Sequence, residues 1–109
     1  MSSGNFKHAL FNQFARVGKA LANGNRLELL ELLAQGERSV DELAKVSGLS
    51  VANTSQHLQL LRQSGLVSYR KDGLKVFDRK SNEEVIEILI SLRQSGETAL
   101  ADVCRRLET

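Results

Sequence analysis

The stretch that decides the fold runs from Ser39 to Ser64 and reads SVDELAKVSGLSVANTSQHLQLLRQS. Ser39 is followed three residues later by Glu42, the spacing of a capping box in which the hydroxyl accepts from an orphan backbone amide and the carboxylate reaches back to the cap. A helix of about two turns follows, with Leu43 and Val46 turned inward, until Gly48 offers the left-handed backbone that stops it. After Leu49, Ser50 caps a second helix over about 51–64, and Gly65 ends it. Two short capped helices joined by a glycine-containing turn predict a helix-turn-helix.

Upstream, Leu10, Phe14, Val17 and Leu21 recur at helical steps and predict a helix over about 6–22, broken by Asn23, Gly24 and Asn25. From Arg26, the residues Leu27, Leu29, Leu30, Leu32 and Leu33 are apolar around most of a helix circumference, which places this helix at the centre of the core until Gln35 and Gly36 end it. Downstream of Gly65 the period changes to two. Leu66 to Arg70 and Lys75 to Asp78 read as two strands of a wing over about 66–79, turning around Asp72 and Gly73. Ser81 or Asn82 then caps a long helix over about 82–107 with a near-heptad stripe of Val85, Ile88, Leu89, Leu92, Ala99, Val103 and Leu107, in which Gly96 is expected to weaken or kink the helix. The order α-α-α-α-β-β-α predicts one mainly α domain over 1–109 with a small β-hairpin, a winged helix-turn-helix.

Composition agrees. The 109 residues are 41% hydrophobic and 26% charged, the balance of a chain with one hydrophobic core. Eighteen Leu, one Tyr and neither Pro nor Trp favour helix over strand. Glu28, Glu31 and Glu87 interrupt the richest apolar stretches before the ~18 residues a membrane-spanning helix needs. No secretory leader is read at the N-terminus, and the single Cys104 cannot form an intrachain disulfide, so the expected compartment is the cytoplasm. The net charge of +2 is unevenly spread, with +3 over residues 1–24, −2 over 25–49, +4 over 50–80 and −3 over the remainder. A basic middle between acidic flanks suggests a footprint for a polyanion. Gly18-Lys19 lacks the glycine turn and hydroxyl of a phosphate loop, and no Ser, His and acid form a recognisable elbow, so no enzyme is expected.

In a winged helix the second helix of the helix-turn-helix enters the major groove and the hairpin touches backbone or minor groove, which makes double-stranded DNA the expected partner. Thr54, Leu58 and Leu61 are expected to be buried, leaving Ala52, Asn53, Ser55, Gln56, Gln59 and Arg62 on the other faces. Gln and Asn pair bidentately with adenine, while small residues let the backbone approach the bases. Arg70, Lys71 and Lys75 flank the hairpin tip, where each could meet a phosphate. His57 is equally suited to packing, to bonding a phosphate or to titration. The alternative is a protein-interaction module that uses the same helices and binds no DNA.

The run Lys19-Ala20-Leu21-Ala22 to Arg26-Leu27, then Val40 to Leu49, Asn53-Thr54-Ser55-Gln56-His57-Leu58-Gln59-Leu60-Leu61 and Gly65-Leu66-Val67 resembles the ArsR/SmtB family of dimeric bacterial repressors. The resemblance covers nearly the whole chain. It implies a homodimer on an inverted-repeat operator, with base-reading roles for Val51, Ala52, Ser55 and Gln56 and support from Asn53 and Gln59. The homodimer is expected to form through residues 6–22 and 82–107, whose apolar stripe exceeds what a small core can absorb. More narrowly, Ala52 to Gln59 resembles members in which a rhodanese-like domain follows the winged helix; no such domain is present in the 109 residues, which are expected to be a stand-alone member or a piece of a longer one. Asp78 departs from the family pattern, which has an aromatic residue in the second wing strand, and this leaves the packing of the hairpin base open.

Many members of the family release DNA on binding a metal or arsenic species. The Cys-x-Cys of one such site is absent from Val40 to Val46, and the last helix has no His for another. His8, His57 and Cys104 are too scattered to propose a site, so no metal and no cofactor are expected. Cys104, beside Val103 and followed by Arg105 and Arg106, reads first as a small half-buried packing residue. Its alternative, carried by the resemblance, is a redox or persulfide sensor that makes the repressor thiol-responsive.

Overall fold

A computed structural model of the chain describes residues 3–108. Among these residues, five helices and three short strands follow in the order α1 (Ser3–Leu21), α2 (Gly24–Gln35), β1 (Arg38–Ser39), α3 (Val40–Ser47), α4 (Val51–Gln63), β2 (Val67–Asp72), β3 (Lys75–Lys80) and α5 (Glu84–Glu108). This is the winged helix-turn-helix, mainly helical with a small antiparallel sheet.

The caps of α3 and α4 are those the sequence specifies, Asn23 caps α2 as well as breaking α1, and α5 begins only at Glu84, beyond the Ser81 or Asn82 expected to cap it. Asn23 accepts from the Arg26 amide to start α2 (3.1 Å), Ser39 accepts from the Glu42 amide to start α3 (3.1 Å), and Ser50 accepts from the Asn53 amide to start α4 (3.0 Å). The Glu42 carboxylate meets the Ser39 hydroxyl at 3.3 Å rather than the backbone amide of the cap. Gly48 ends α3 with φ of 75°, a left-handed conformation that a side chain would oppose.

Leu29, Leu30 and Leu33 of α2, Leu43 of α3, Leu58 and Leu61 of α4 and Val85 of α5 are buried together, with Leu66, Val67 and Leu89 beside them. The central position expected for α2 is therefore the observed one. Val46, expected inward, is 54% exposed; the two-turn helix α3 has room for only Leu43 and Ala44 on its buried side.

Two features of the sheet were not anticipated. Arg38 and Ser39 form a two-residue strand opposite Asp78 and Phe77, giving the sheet order β1-β3-β2. The hairpin turn is Gly73-Leu74 rather than Asp72-Gly73, since Asp72 pairs with Lys75 across the ladder. Gly73 has φ of 62° and Leu74 does not have positive φ, the pattern of a type II′ turn with glycine first.

The outer helices behave differently. α5 runs unbroken through Gly96, and from Ser91 onward every described residue but Asp102 is exposed. Of its expected stripe only Val85 and Leu89 are buried and Ile88 half-buried. α1 buries Ala20 and half-buries Val17 and Leu21, while Phe6, Leu10, Phe11 and Phe14 are exposed. The radius of gyration of 16.5 Å exceeds the roughly 13 Å of a compact domain of this length, as projecting helices require. No described helix is long and apolar enough to cross a membrane.

Candidate nucleic-acid interface

Helix α4 sorts its residues by phase. Thr54, Leu58 and Leu61 are buried, and Thr54 is further tied down by its hydroxyl donating to the Ser50 carbonyl at 2.8 Å. At about 3.6 residues per turn, Ala52, Gln56, Gln59 and Gln63 stand opposite that buried row, and all four are exposed. Gln63 was not among the expected residues, although it continues the same phase one turn beyond Gln59. The two flanks differ. Val51, Ser55 and Arg62 lie toward the wing, whereas Asn53, His57 and Leu60 lie toward α1 and α2 by the same count.

Arg62 departs from its expected place on an open face. Its Nε and Nη2 donate to the two carboxylate oxygens of Asp78, each at 2.8 Å, and its guanidinium lies 4.5 Å from the centre of the Tyr69 ring. Asp78 is 0% exposed. A buried carboxylate needs such a bidentate partner, so Arg62 is the counter-ion that permits Asp78 in the wing and is not free to reach a base. This also answers the question left by the departure of Asp78 from an aromatic residue: the hairpin base is packed by an ion pair roofed by Tyr69.

The three wing bases are likewise not equivalent. Side chains alternate along β2, and Lys71 shares the face of Tyr69, the face turned to α4. Arg70 points to the opposite face, where it stacks over Phe77 at 4.7 Å and forks onto Glu37 with contacts of 2.8 to 3.2 Å. The hydrogen bonds from Arg70 hold the Glu37 carboxyl below the usual glutamate value, and Glu37 in turn raises the Arg70 guanidinium. Lys75, opposite Asp72, sits at the tip beside a fully exposed Leu74. Among the described residues, Lys71 and Lys75 are thus the tip cations that no carboxylate holds.

On the other flank, Arg26 is buried at the junction of three helices. Its Nε donates to the Ala20 carbonyl (2.8 Å) and its Nη2 to the Lys19 carbonyl (3.0 Å), satisfying the C-terminal end of α1, while its Nη1 lies 3.3 Å from His57 Nδ1 on α4. Gln13 of α1 donates to the Ser64 carbonyl at the end of α4 (3.1 Å). Between these contacts lies a cavity of about 360 Å³ lined by Arg16, Lys19, Ala20, Leu60, Gln63 and Ser64. Sequence reasoning missed Arg26 as a site residue because its partners lie up to 31 positions away.

Cys104 is exposed on α5, not half-buried as its place beside Val103 suggested. Among the described residues, no three His, Cys, Asp or Glu side chains converge as a metal site would require.

The family profile described as "Bacterial regulatory protein, arsR family" matches residues 23–69, from the cap of α2 to the third residue of β2. The solution structure of the homodimeric winged helix-turn-helix DNA-binding domain of Mb0332 from Mycobacterium bovis, a possible ArsR-family transcriptional regulator, superposes with a TM-score of 0.80 at 41% identity, covering 92% of this chain and 91% of that fragment. The chain belongs to the arsR family. Two curated relatives agree with this membership. The HTH-type transcriptional regulator Rv0324 of Mycobacterium tuberculosis is 44% identical over 97 residues, which span 89% of this chain but 43% of that protein. The probable mercury resistance operon repressor of Streptomyces lividans is 34% identical over 95 residues, 85% of this chain and 76% of that one. The arsR-family profile ends before Asp78 and α5, so the ion pair at the wing base and the projecting helix lie outside the matched segment.

Proposed function

We propose that this arsR-family chain is a homodimeric, sequence-specific DNA-binding repressor that works in the cytoplasm and has no enzymatic activity. The observation that carries the reading is the exposed row Ala52, Gln56, Gln59 and Gln63 on a helix whose other side is locked into the core. Amides in that row can read adenine edges in the major groove, with Val51, Asn53 and Ser55 at the margins and Lys71 and Lys75 on the backbone beside it. Arg70 contributes only if it leaves Glu37, and Arg62 acts by holding the wing to α4. The exposed apolar faces of α1 and α5 favour a second copy of the chain as their cover, as does the homodimeric M. bovis neighbour.

In such a dimer two groove helices read half-sites about 34 Å apart, or a multiple of that. Control by a bound metal is no part of the reading, which rests on the sequence: Val40 to Val46 holds no Cys-x-Cys and the last helix no His. The narrower resemblance, to members with a following rhodanese-like domain, rests on Ala52 to Gln59 alone. Selection from a pool of random duplexes tests the function: an inverted repeat should be enriched, and Gln56→Ala should cost ~1–3 kcal/mol on the selected sequence and little on random DNA. Lys71→Ala should weaken both. Failure to enrich any sequence, with a protein that binds another protein through α4, would favour the interaction-module alternative.

A further inference from the structure

His57 stands on α4 between the exposed amide row and the contact with α1 and α2, on the flank opposite the wing. A helix seated in the major groove reads bases with its outermost face, while its two flanks turn toward the sugar-phosphate walls. On the wing side that wall is served by Lys71 and the hairpin tip. On the other side the neighbouring surface is formed by Arg16 and Lys19 at the α1–α4 cavity, and neither α1 nor α4 contains an acidic residue. Among the cavity-lining residues there are two cations and no carboxylate, a surface suited to a phosphate strand.

The Arg26 contact determines what His57 can offer to that strand. A guanidinium has five donors and no acceptor, so the 3.3 Å contact between Arg26 Nη1 and His57 Nδ1 is a hydrogen bond only when Nδ1 carries its lone pair. The ring proton then resides on Nε2, at the far side of the imidazole. Arg26 cannot turn away to accommodate the other tautomer, because its remaining nitrogens are engaged by the Ala20 and Lys19 carbonyls and the side chain is buried. The constraint is therefore one-sided: a fixed donor sets the ring nitrogen that must accept.

We infer that Arg26 is a positioning residue that locks His57 in its Nε2–H tautomer, so that His57 Nε2–H donates to a DNA phosphate on the α1 side of the groove helix. This rests on the DNA-binding reading proposed above and adds to it a contact residue and the residue that orients it. The same Arg26 ties α4 to the end of α1, so the phosphate anchor is held in fixed register with the helix that projects from the body.

Two measurements test it on the intact chain. In uniformly ¹⁵N-labelled protein without DNA at neutral pH, the His57 ring, assigned by its loss in His57→Asn, should show an unprotonated Nδ1 and a protonated Nε2; the Nδ1–H form would overturn the lock. On a duplex of random sequence, His57→Asn keeps an acceptor where Nδ1 was but has no donor at the Nε2 position, whereas His57→Gln places an amide donor near it. Asn should weaken binding by roughly 2- to 10-fold per subunit at fixed salt, the loss of one neutral hydrogen bond, while Gln stays near wild type. Because the neutral ring releases no counterion, the dependence of log affinity on log salt should be unchanged in both. Equal affinity for wild type and Asn, or equal losses for Asn and Gln, would overturn the phosphate contact. A wild type with no salt-dependent binding would overturn the DNA-binding reading itself, and the tautomer measurement would still decide whether Arg26 locks the ring.

Discussion

The body of the molecule and its two projecting helices are built from the same kind of amphipathic sequence and end in opposite situations. In the body, Leu29, Leu30, Leu33, Leu43, Leu58 and Leu61 are fully buried against one another. In the projecting parts, Phe6, Phe11 and Phe14 of α1 and Leu100, Val103 and Leu107 of α5 are exposed, Leu100 at 64% and Leu107 at 81%. The body therefore satisfies its own hydrophobic surface, while the helices carry surface that only another molecule can remove from water. A stripe of apolar residues states that something will cover it and does not state whether that is the same chain.

The largest effect should come from the body. Leu58 packs from the buried face of α4 into the common core, and Leu58→Ala should destabilise the fold by ~2–5 kcal/mol through lost burial and the cavity left behind. Chemical denaturation of the variant measures it. A loss as small as that of a surface substitution would show that the body is less tightly packed than its burial implies, and the contrast with the projecting helices would weaken.

Next comes the ion pair that fixes the wing to the body. Asp78→Asn retains the shape but leaves the Arg62 guanidinium without its charged acceptor, and a loss of ~1.5–3 kcal/mol is expected from a charge-assisted hydrogen-bond pair. The wing should also dock less firmly, which hydrogen exchange at the β2 and β3 amides would register. Arg62 illustrates where sequence reading stops. The helix-turn-helix was legible because Ser39, Gly48, Ser50 and Gly65 punctuate it by local rules, and the buried row Thr54, Leu58 and Leu61 follows from helical phase alone. The partners of Arg62, Arg70 and Arg26 lie 16, 33 and 31 residues away, and no periodicity reports a contact made by tertiary folding. For the same reason β1 escaped notice, since two residues leave no alternation to detect. The turn was misplaced by one residue because Asp72-Gly73 is a strong hairpin signal and only the ladder register shows that glycine comes first.

The projecting helices should respond to substitution in assembly rather than in folding. Leu100→Glu adds charge to an exposed apolar stripe, so the body's intrinsic stability should change by no more than about 0.5 kcal/mol. Sedimentation should show the wild type as a dimer and the variant shifted to monomer. The wild-type melting temperature should also rise with protein concentration, a dependence the variant loses. A wild-type monomer, with a melting temperature independent of concentration, would mean that a partner other than a second copy covers these faces.

The smallest effect belongs to the exposed pair Glu37–Arg70, which joins the turn after α2 to the outer face of the wing. Its geometry is bidentate, yet both side chains remain partly exposed to solvent, which screens their attraction. Replacing the carboxylate by an amide in Glu37→Gln should lower the melting temperature only slightly at neutral pH. The sign of the pH dependence follows from the direction of the shift. Because Arg70 lowers the folded-state value of Glu37, the pair contributes stability above the ordinary glutamate range and loses it as pH falls through the lowered folded value. The gap in melting temperature between wild type and variant should therefore narrow on acidification through the carboxylate range, and should narrow also with added salt at neutral pH. A gap that widened in acid would show that Arg70 does not hold Glu37 charged in the folded protein. In that case Arg70 would be as free as Lys71 and Lys75 to meet a phosphate, and the division of the wing into a tied outer face and an open tip would fall.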